Sequence, residues 1–277
     1  VGSCTDLVAT VTYPLRRIYG DRFVIAPLSV LVDPQRALRI FGLTGGRAFS
    51  DKVLYIYRKQ LEEADLIVIN KRETLSPTDL ARLTGELQRV FPLARILSAS
   101  ARQGEGLEEW FGELTAGEQV ARQAMVVDYD IYADGEARLG WLNATWQLTA
   151  PDEFDANAVI AGLAKDLQAH LGTAGAEVAH LKMTFSPDGG LNDIAVVNLV
   201  RSDFVPELSQ RLDQGCAAGQ LILNLRAEAA PETLRAAVDS AVARLAGRHP
   251  GLRPRLDHLE HFRPGRPEPT HRELAPG

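Results

Sequence analysis

The stretch Asp65-Leu66-Ile67-Val68-Ile69-Asn70-Lys71-Arg72-Glu73 decides the reading of this chain. Leu66 to Ile69 is apolar without alternation, which marks a strand buried on both faces, as in a parallel sheet. It runs into Asn70-Lys71-Arg72-Glu73, an amide, a lysine and a carboxylate at the carboxyl end of the strand. Open α/β sheets bind ligands at that end. A guanine base calls for this set of groups. The Glu73 carboxylate accepts from the ring N–H and the exocyclic amine, the Asn70 amide reads the N7/O6 edge, and the Lys71 stem covers the ring face. Polar groups matched to guanine reject adenine, because the wrong base leaves them unpaired. Glu73 sets its carboxylate one methylene farther out than an Asp would. The plain alternative is a strand that ends in a solvated Asn-Lys turn.

A second stretch repeats the arrangement. Arg95-Ile96-Leu97 reads as a short strand, followed by Ser98-Ala99-Ser100-Ala101-Arg102-Gln103-Gly104-Glu105-Gly106-Leu107. Backbone N–H groups of Ser100, Ala101 and Arg102 suit the O6 of the same base. Gly104 and Gly106 permit a tight turn. Leu107, Trp110, Phe111 and Leu114 then share one face of a helix over 107–114.

The sequence contains no Gly-x-x-x-x-Gly-Lys-Ser/Thr, the pattern that cradles phosphates and places a hydroxyl on Mg²⁺. Gly42-Leu43-Thr44-Gly45-Gly46 lacks the lysine and reads as a surface loop. On other segments the chain resembles the CobW/HypB/UreG family of metal-linked GTPases, and a CobW-type protein truncated at its N-terminus in particular. Gly2-Ser3-Cys4-Thr5-Asp6-Leu7, Val30-Leu31-Val32-Asp33-Pro34, Gln60-Leu61-Glu62-Glu63-Ala64-Asp65, Glu136-Ala137-Arg138-Leu139-Gly140-Trp141-Leu142-Asn143 and the tail from Glu260 to Arg272 carry the likeness. The resemblance implies that the family's first strand, P-loop, Cys-x-Cys-Cys motif and switch Glu precede Val1. It further implies a parent protein that binds GTP and Mg²⁺, hydrolyses GTP, and hands a metal ion, Zn²⁺ or Co²⁺, to a client protein. Gly2 then belongs to the nucleotide switch. Without a phosphate loop, this chain alone is expected to hydrolyse no GTP, since phosphate and Mg²⁺ positioning supply most of phosphoryl-transfer catalysis. A second reading stays open, that of a P-loop-less module docking partners through its C-terminal sheet. A third is an ATP-dependent, kinase-like P-loop protein.

Composition narrows the classes. The 277 residues suit two domains, and 45% hydrophobic content fills two cores. A net charge of −6 and a pI near 5.6 argue against a nucleic-acid partner. No apolar run reaches the length of a membrane span. Two cysteines far apart, Cys4 and Cys216, suit a reducing compartment, and cytoplasm is expected.

The expected fold is α/β, an incomplete P-loop NTPase-type parallel sheet over 1–120, a linker over 121–130, a ferredoxin-like α+β domain over 131–248 and an extended tail over 249–277. Helices are expected over 7–19 with a break at Pro14, 35–41, 52–63 and from Ser76-Pro77 onward. A strand is expected over 23–32, interrupted by Pro27. The second half reads strand 137–148, helix 155–171, strands 177–185 and 193–200, helix 204–212, strand 220–226 and helix 231–245. That order suggests the ferredoxin-like sandwich. Thr5 and Asp6 read as a helix cap or as Mg²⁺ ligands, with the cap favoured. Metal candidates are Cys4, one thiol without partners, and His258 with His261, which an extended backbone turns to opposite faces. Cys216 reads as a small buried hydrophobe after a helix.

Overall fold

The computed structural model describes residues 6–46, 49–118, 125–189, 193–266 and 268–274. The chain is mixed α/β and divides into two units. One runs to Gly135 and regains the chain from Arg266 onward, and the other is Glu136–Gly265.

The first unit is built on a parallel sheet of three strands, β1 (Ser29–Val32), β2 (Leu66–Ile69) and β3 (Arg95–Ser98), in that order. Central β2 is buried throughout, as its unbroken apolar run requires. Ile67 and Ile69 face a core with Val32, Leu38, Leu61, Leu83, Leu87 and Phe91. Leu66 and Val68 face the opposite side, against Leu97, Leu107, Trp110 and Leu114. Leu38, Leu61, Leu83 with Leu87, and Leu107 with Trp110 and Leu114 come from helices α2 (Pro34–Ile40), α3 (Asp51–Glu62), α4 (Pro77–Val90) and α5 (Leu107–Ala116) respectively. Each buried leucine or isoleucine contributes roughly 1.5–3 kcal/mol of transfer free energy, so these two layers hold the sheet rigid beneath its loops. Phe111 is 49% exposed and turns away from the α5 stripe on which it was expected.

Local chemistry sets the helix starts. Ser76 accepts the Asp79 N–H at 3.1 Å with Pro77 at the first turn of α4. Asp33 accepts the Arg36 N–H at 3.0 Å ahead of Pro34, opening α2. The N-terminal helix is wound as a π-turn over Val8–Thr12 and as α1 over Tyr13–Tyr19. The change falls beside Pro14, whose ring and missing N–H disfavour a regular preceding turn. The expected strand over 23–32 shrinks to β1. Phe23 and Val24 are 62% and 72% exposed and gain no ladder ahead of Pro27. A further helix, α6 (Tyr129–Glu136), leads to the second unit.

That unit is an antiparallel sheet of six strands: β4 (Leu139–Phe154), β5 (Glu177–Pro187), β6 (Ala195–Leu199), β7 (Glu207–Gln210), β8 (Cys216–Glu228) and β9 (Arg253–Phe262). Their order is β7-β6-β5-β8-β4-β9. Alternate residues Leu142, Ala144, Trp146 and Leu148 of β4 point into a core shared with α7 (Ala156–Thr173) and α8 (Pro231–Arg248). The helix expected over 204–212 is instead strand β7. Pro206 holds the residue before it extended and cannot donate, which suits the start of an edge strand. The region read as a tail supplies β9, paired along β4 from Trp141 with Phe262 to Thr149 with Arg253. Cys216 opens β8 rather than following a helix.

Candidate base-recognition site

Asn70-Lys71-Arg72-Glu73 and Ser98 to Gly106 leave the carboxyl ends of adjacent parallel strands, with Ile69 in register with Ser98. Backbone bonds lace the two loops together. Ala99 N–H donates to Ile69 O at 2.8 Å and Arg72 N–H to Ala99 O at 3.1 Å, while Asn70 N–H ties the first loop to β1 by donating to Val32 O at 3.2 Å. The Asn70 side chain completes the stitch, its Oδ1 accepting the Ala101 N–H at 3.1 Å. An N–H donor can only meet the amide oxygen, so this contact fixes the amide orientation and leaves Nδ2 as the donor. The Ala101 N–H, expected from the sequence to face a base O6, is thus spent on Asn70.

Lys71 sits in the left-handed region, φ 58° and ψ 36°, where a residue with a Cβ pays a steric cost. The turn is held by Thr74, whose N–H and Oγ1 both donate to Lys71 O at 2.9 Å, and by Gln35 Nε2 donating to Thr74 O at 3.1 Å. Lys71 Nζ lies 3.5 Å from Asp33 Oδ2, so the carboxylate that caps α2 also orients the lysine. Glu73 lies on the single 3₁₀ turn Arg72–Thr74 with its side chain exposed. Arg72 Nε reaches Glu105 Oε2 at 3.7 Å, a second tie between the loops.

Ser100 is fully buried and shapes its loop. Its N–H donates to Glu105 O at 2.9 Å, its carbonyl accepts Gly104 N–H at 2.9 Å, and its Oγ accepts Gln103 N–H at 3.1 Å. Ala101 and Arg102 are exposed at the rim. Gly106 is required as glycine, because φ is +71° and a Cβ would meet Ser98 O at 2.3 Å. The structure therefore brings Asn70, Lys71, Ser100, Ala101 and Arg102 into one laced pair of loops, with Glu73 on the adjoining turn. Sequence reasoning missed Asp33 and Glu105 as orienting groups. Asp33-Pro34 carried a legible signal, an N-cap acid followed by proline at a strand end.

The remaining candidates fall elsewhere. Gly2, Cys4 and Thr5 lie outside the described residues. Asp6 caps nothing with its side chain. It is 1% exposed at φ 64°, and its Oδ2 accepts from Tyr129 Oη and Arg272 Nε, each at 2.6 Å. Next to it Glu63 accepts Val8 N–H at 3.2 Å, and burial pushes its carboxyl up to about 7. His258 and His261 pair with Thr145 and Leu142, on opposite faces of β9, and His258 Nε2 lies 3.5 Å from Glu260. The two imidazoles do not fit one shared ion. Among the described residues no group of three or more His, Cys, Asp or Glu is placed to hold a metal. Cys216 is half-buried at the core edge, and burial pushes its thiol up. No described helix is long and apolar enough to cross a membrane.

No protein-family model matches the sequence, and no curated protein matches it. Among solved structures, the chain is similar to the Zn(II)-bound YjiA GTPase from E. coli, with a TM-score of 0.27 and 13% identity over 83% of this chain and 67% of that one. A Zn(II)-bound triple mutant of YjiA GTPase gives a TM-score of 0.25 and 12% identity over the same shares. At these scores the superpositions carry no argument about fold or function.

Proposed function

We propose that the first unit is the base-recognition part of a guanine-nucleotide site, in a GTP-binding protein of the CobW type. The observation that supports this most is the contact of Asn70 Oδ1 with the Ala101 N–H, which locks the loops after β2 and β3 and leaves the amide Nδ2 as a donor suited to the N7/O6 edge of a base. Lys71 supplies the stem over the ring, oriented by Asp33, and Glu73 the acceptor for the N1 and N2 hydrogens. The first unit is then an incomplete P-loop NTPase-type sheet. The second is a ferredoxin-like sandwich, since β9-β4-β8-β5 with two helices follows that pattern and the β6–β7 hairpin extends its edge.

GTP and Mg²⁺ are the ligands of the whole site in this reading. This chain's part is to choose the base, because the sequence offers no lysine-bearing phosphate loop. Release of γ-phosphate contacts on hydrolysis would drive the switch that hands a metal, Zn²⁺ or Co²⁺, to a client protein, and the cytoplasm is its setting. None of the described side chains is assigned to that metal. The test is a titration of the full chain with GMP and with AMP, followed by amide shifts in the nuclear magnetic resonance spectrum. GMP should move the amides of Lys71, Arg72, Ala101 and Arg102 in the millimolar range, and AMP should leave them in place. Equal shifts with both nucleotides, or none with GMP, would refute the reading.

A further inference from the structure

The first unit holds a second constellation that the base site does not use. Both donors to Asp6, Tyr129 Oη and Arg272 Nε, converge on Oδ2, and buried Oδ1 has no partner among the described residues. The Arg272 guanidinium also lies over the Tyr129 ring, 5.5 Å from its centroid, and its Nη2 donates to Met125 O at 3.4 Å. The next residue is read as closely. Glu273 N–H donates to Ala9 O at 2.9 Å, and its Oε1 lies 2.6 Å from Arg17 Nε. The neighbours on either side, Thr270, His271 and Leu274, are exposed. The dipeptide thus has its guanidinium met by a buried carboxylate and a ring face, its backbone by a carbonyl, and its carboxylate by a second guanidinium. These are the contacts by which a surface reads a peptide, with charges paired in opposite senses at successive positions.

We propose that Asp6, Ala9, Arg17 and Tyr129 form a recognition site for an Arg-Glu peptide segment, filled in cis by Arg272-Glu273 and open to the same segment of a second copy once the strap is released. The charge order sets specificity. Reversing it would place a carboxylate against Asp6 and a guanidinium against Arg17, and like charges at these distances repel.

The test uses the full chain and a fluorescent peptide of residues 268–274. In Arg272→Ala the peptide should bind at least tenfold more tightly than in the wild type, whose site is filled. Adding Asp6→Ala should abolish binding, and a peptide with Arg and Glu exchanged should not bind. Folding is followed by circular dichroism. If Arg272→Ala does not fold, Glu273→Ala carries the same expectations. A folded variant that ignores the peptide, or accepts the exchanged peptide equally, overturns the proposal. So does loss of folding in both variants, since a strap that cannot be removed is core and not ligand.

Discussion

Two single residues of the first unit bear on its stability in opposite ways. Asn70 is a bridge, and removing it costs two things at once. Asn70→Ala returns the exposed Ala101 N–H to water, which should cost about 0.5–1.5 kcal/mol of stability, and it removes the amide proposed to face the base. Urea denaturation should show the first loss, and disappearance of the GMP-dependent shifts the second. Asn70→Asp separates them, because a carboxylate still accepts from Ala101 but cannot donate to the base. Glu63 is the reverse case, a carboxyl that burial holds protonated to about pH 7 against an ordinary 4.5. In the folded state it binds a proton that the unfolded chain gives up, so its stabilising contribution is complete below pH 4.5 and is lost as pH rises through 7. At about 1.4 kcal/mol per pKa unit the loss is on the order of 3–4 kcal/mol. Glu63→Gln keeps an acceptor for the Val8 N–H. It should match the wild type at pH 4.5 and exceed its melting temperature at pH 8, and equal melting of the two at pH 8 would contradict this account.

At the scale of elements, the legible parts of the chain were those whose signal is local. Unbroken Leu66 to Ile69 announced β2, alternation announced β4, and Ser76-Pro77 announced the start of α4. The misread parts depend on partners far away in sequence. The segment 204–212 has an apolar spacing that fits a helix, yet Glu207 to Gln210 within it pairs with β6 because an open sheet edge was there to receive it. Phe23 and Val24 have the composition of a strand and no neighbour to pair with. At the candidate site, the residue types were legible in the two loops, but the lacing was not, since nothing local says that Asn70 Oδ1 meets the Ala101 N–H. The loop after β3 also depends on Gly106. Gly106→Ala sets a Cβ against Ser98 O at a positive φ, and should cost about 2–3 kcal/mol. Hydrogen exchange should then rise at Gln103 and Gly104, whose N–H groups bond to Ser100, before it rises in β2.

Across the whole molecule, the first unit is discontinuous, since it takes its final residues from beyond Gly265. No pattern in the sequence forecast that return, because Arg272 and Asp6 are 266 positions apart. Stopping the chain after Gly265 strips a buried carboxylate of its guanidinium, a change that costs about 3–5 kcal/mol when such a pair is broken from one side. Amide exchange should rise over residues 8–19 in the shortened chain, while the amides of β4, β5 and β8 stay protected. Loss of protection in both regions together would show that the tail does more than complete the first unit.

The short first strand has a bearing on solubility. Among the described residues β1 pairs on one side only, and Leu31 on it is 47% exposed. Such a rim invites other chains to zip on and grow into fibrils. Pro27 and Pro34 stand on either side of its four residues, and proline supplies no donor to a growing ladder. The sticky length is therefore too short to template an extended β-stack, and the concentrated protein should remain clear where a longer bare rim would seed deposits.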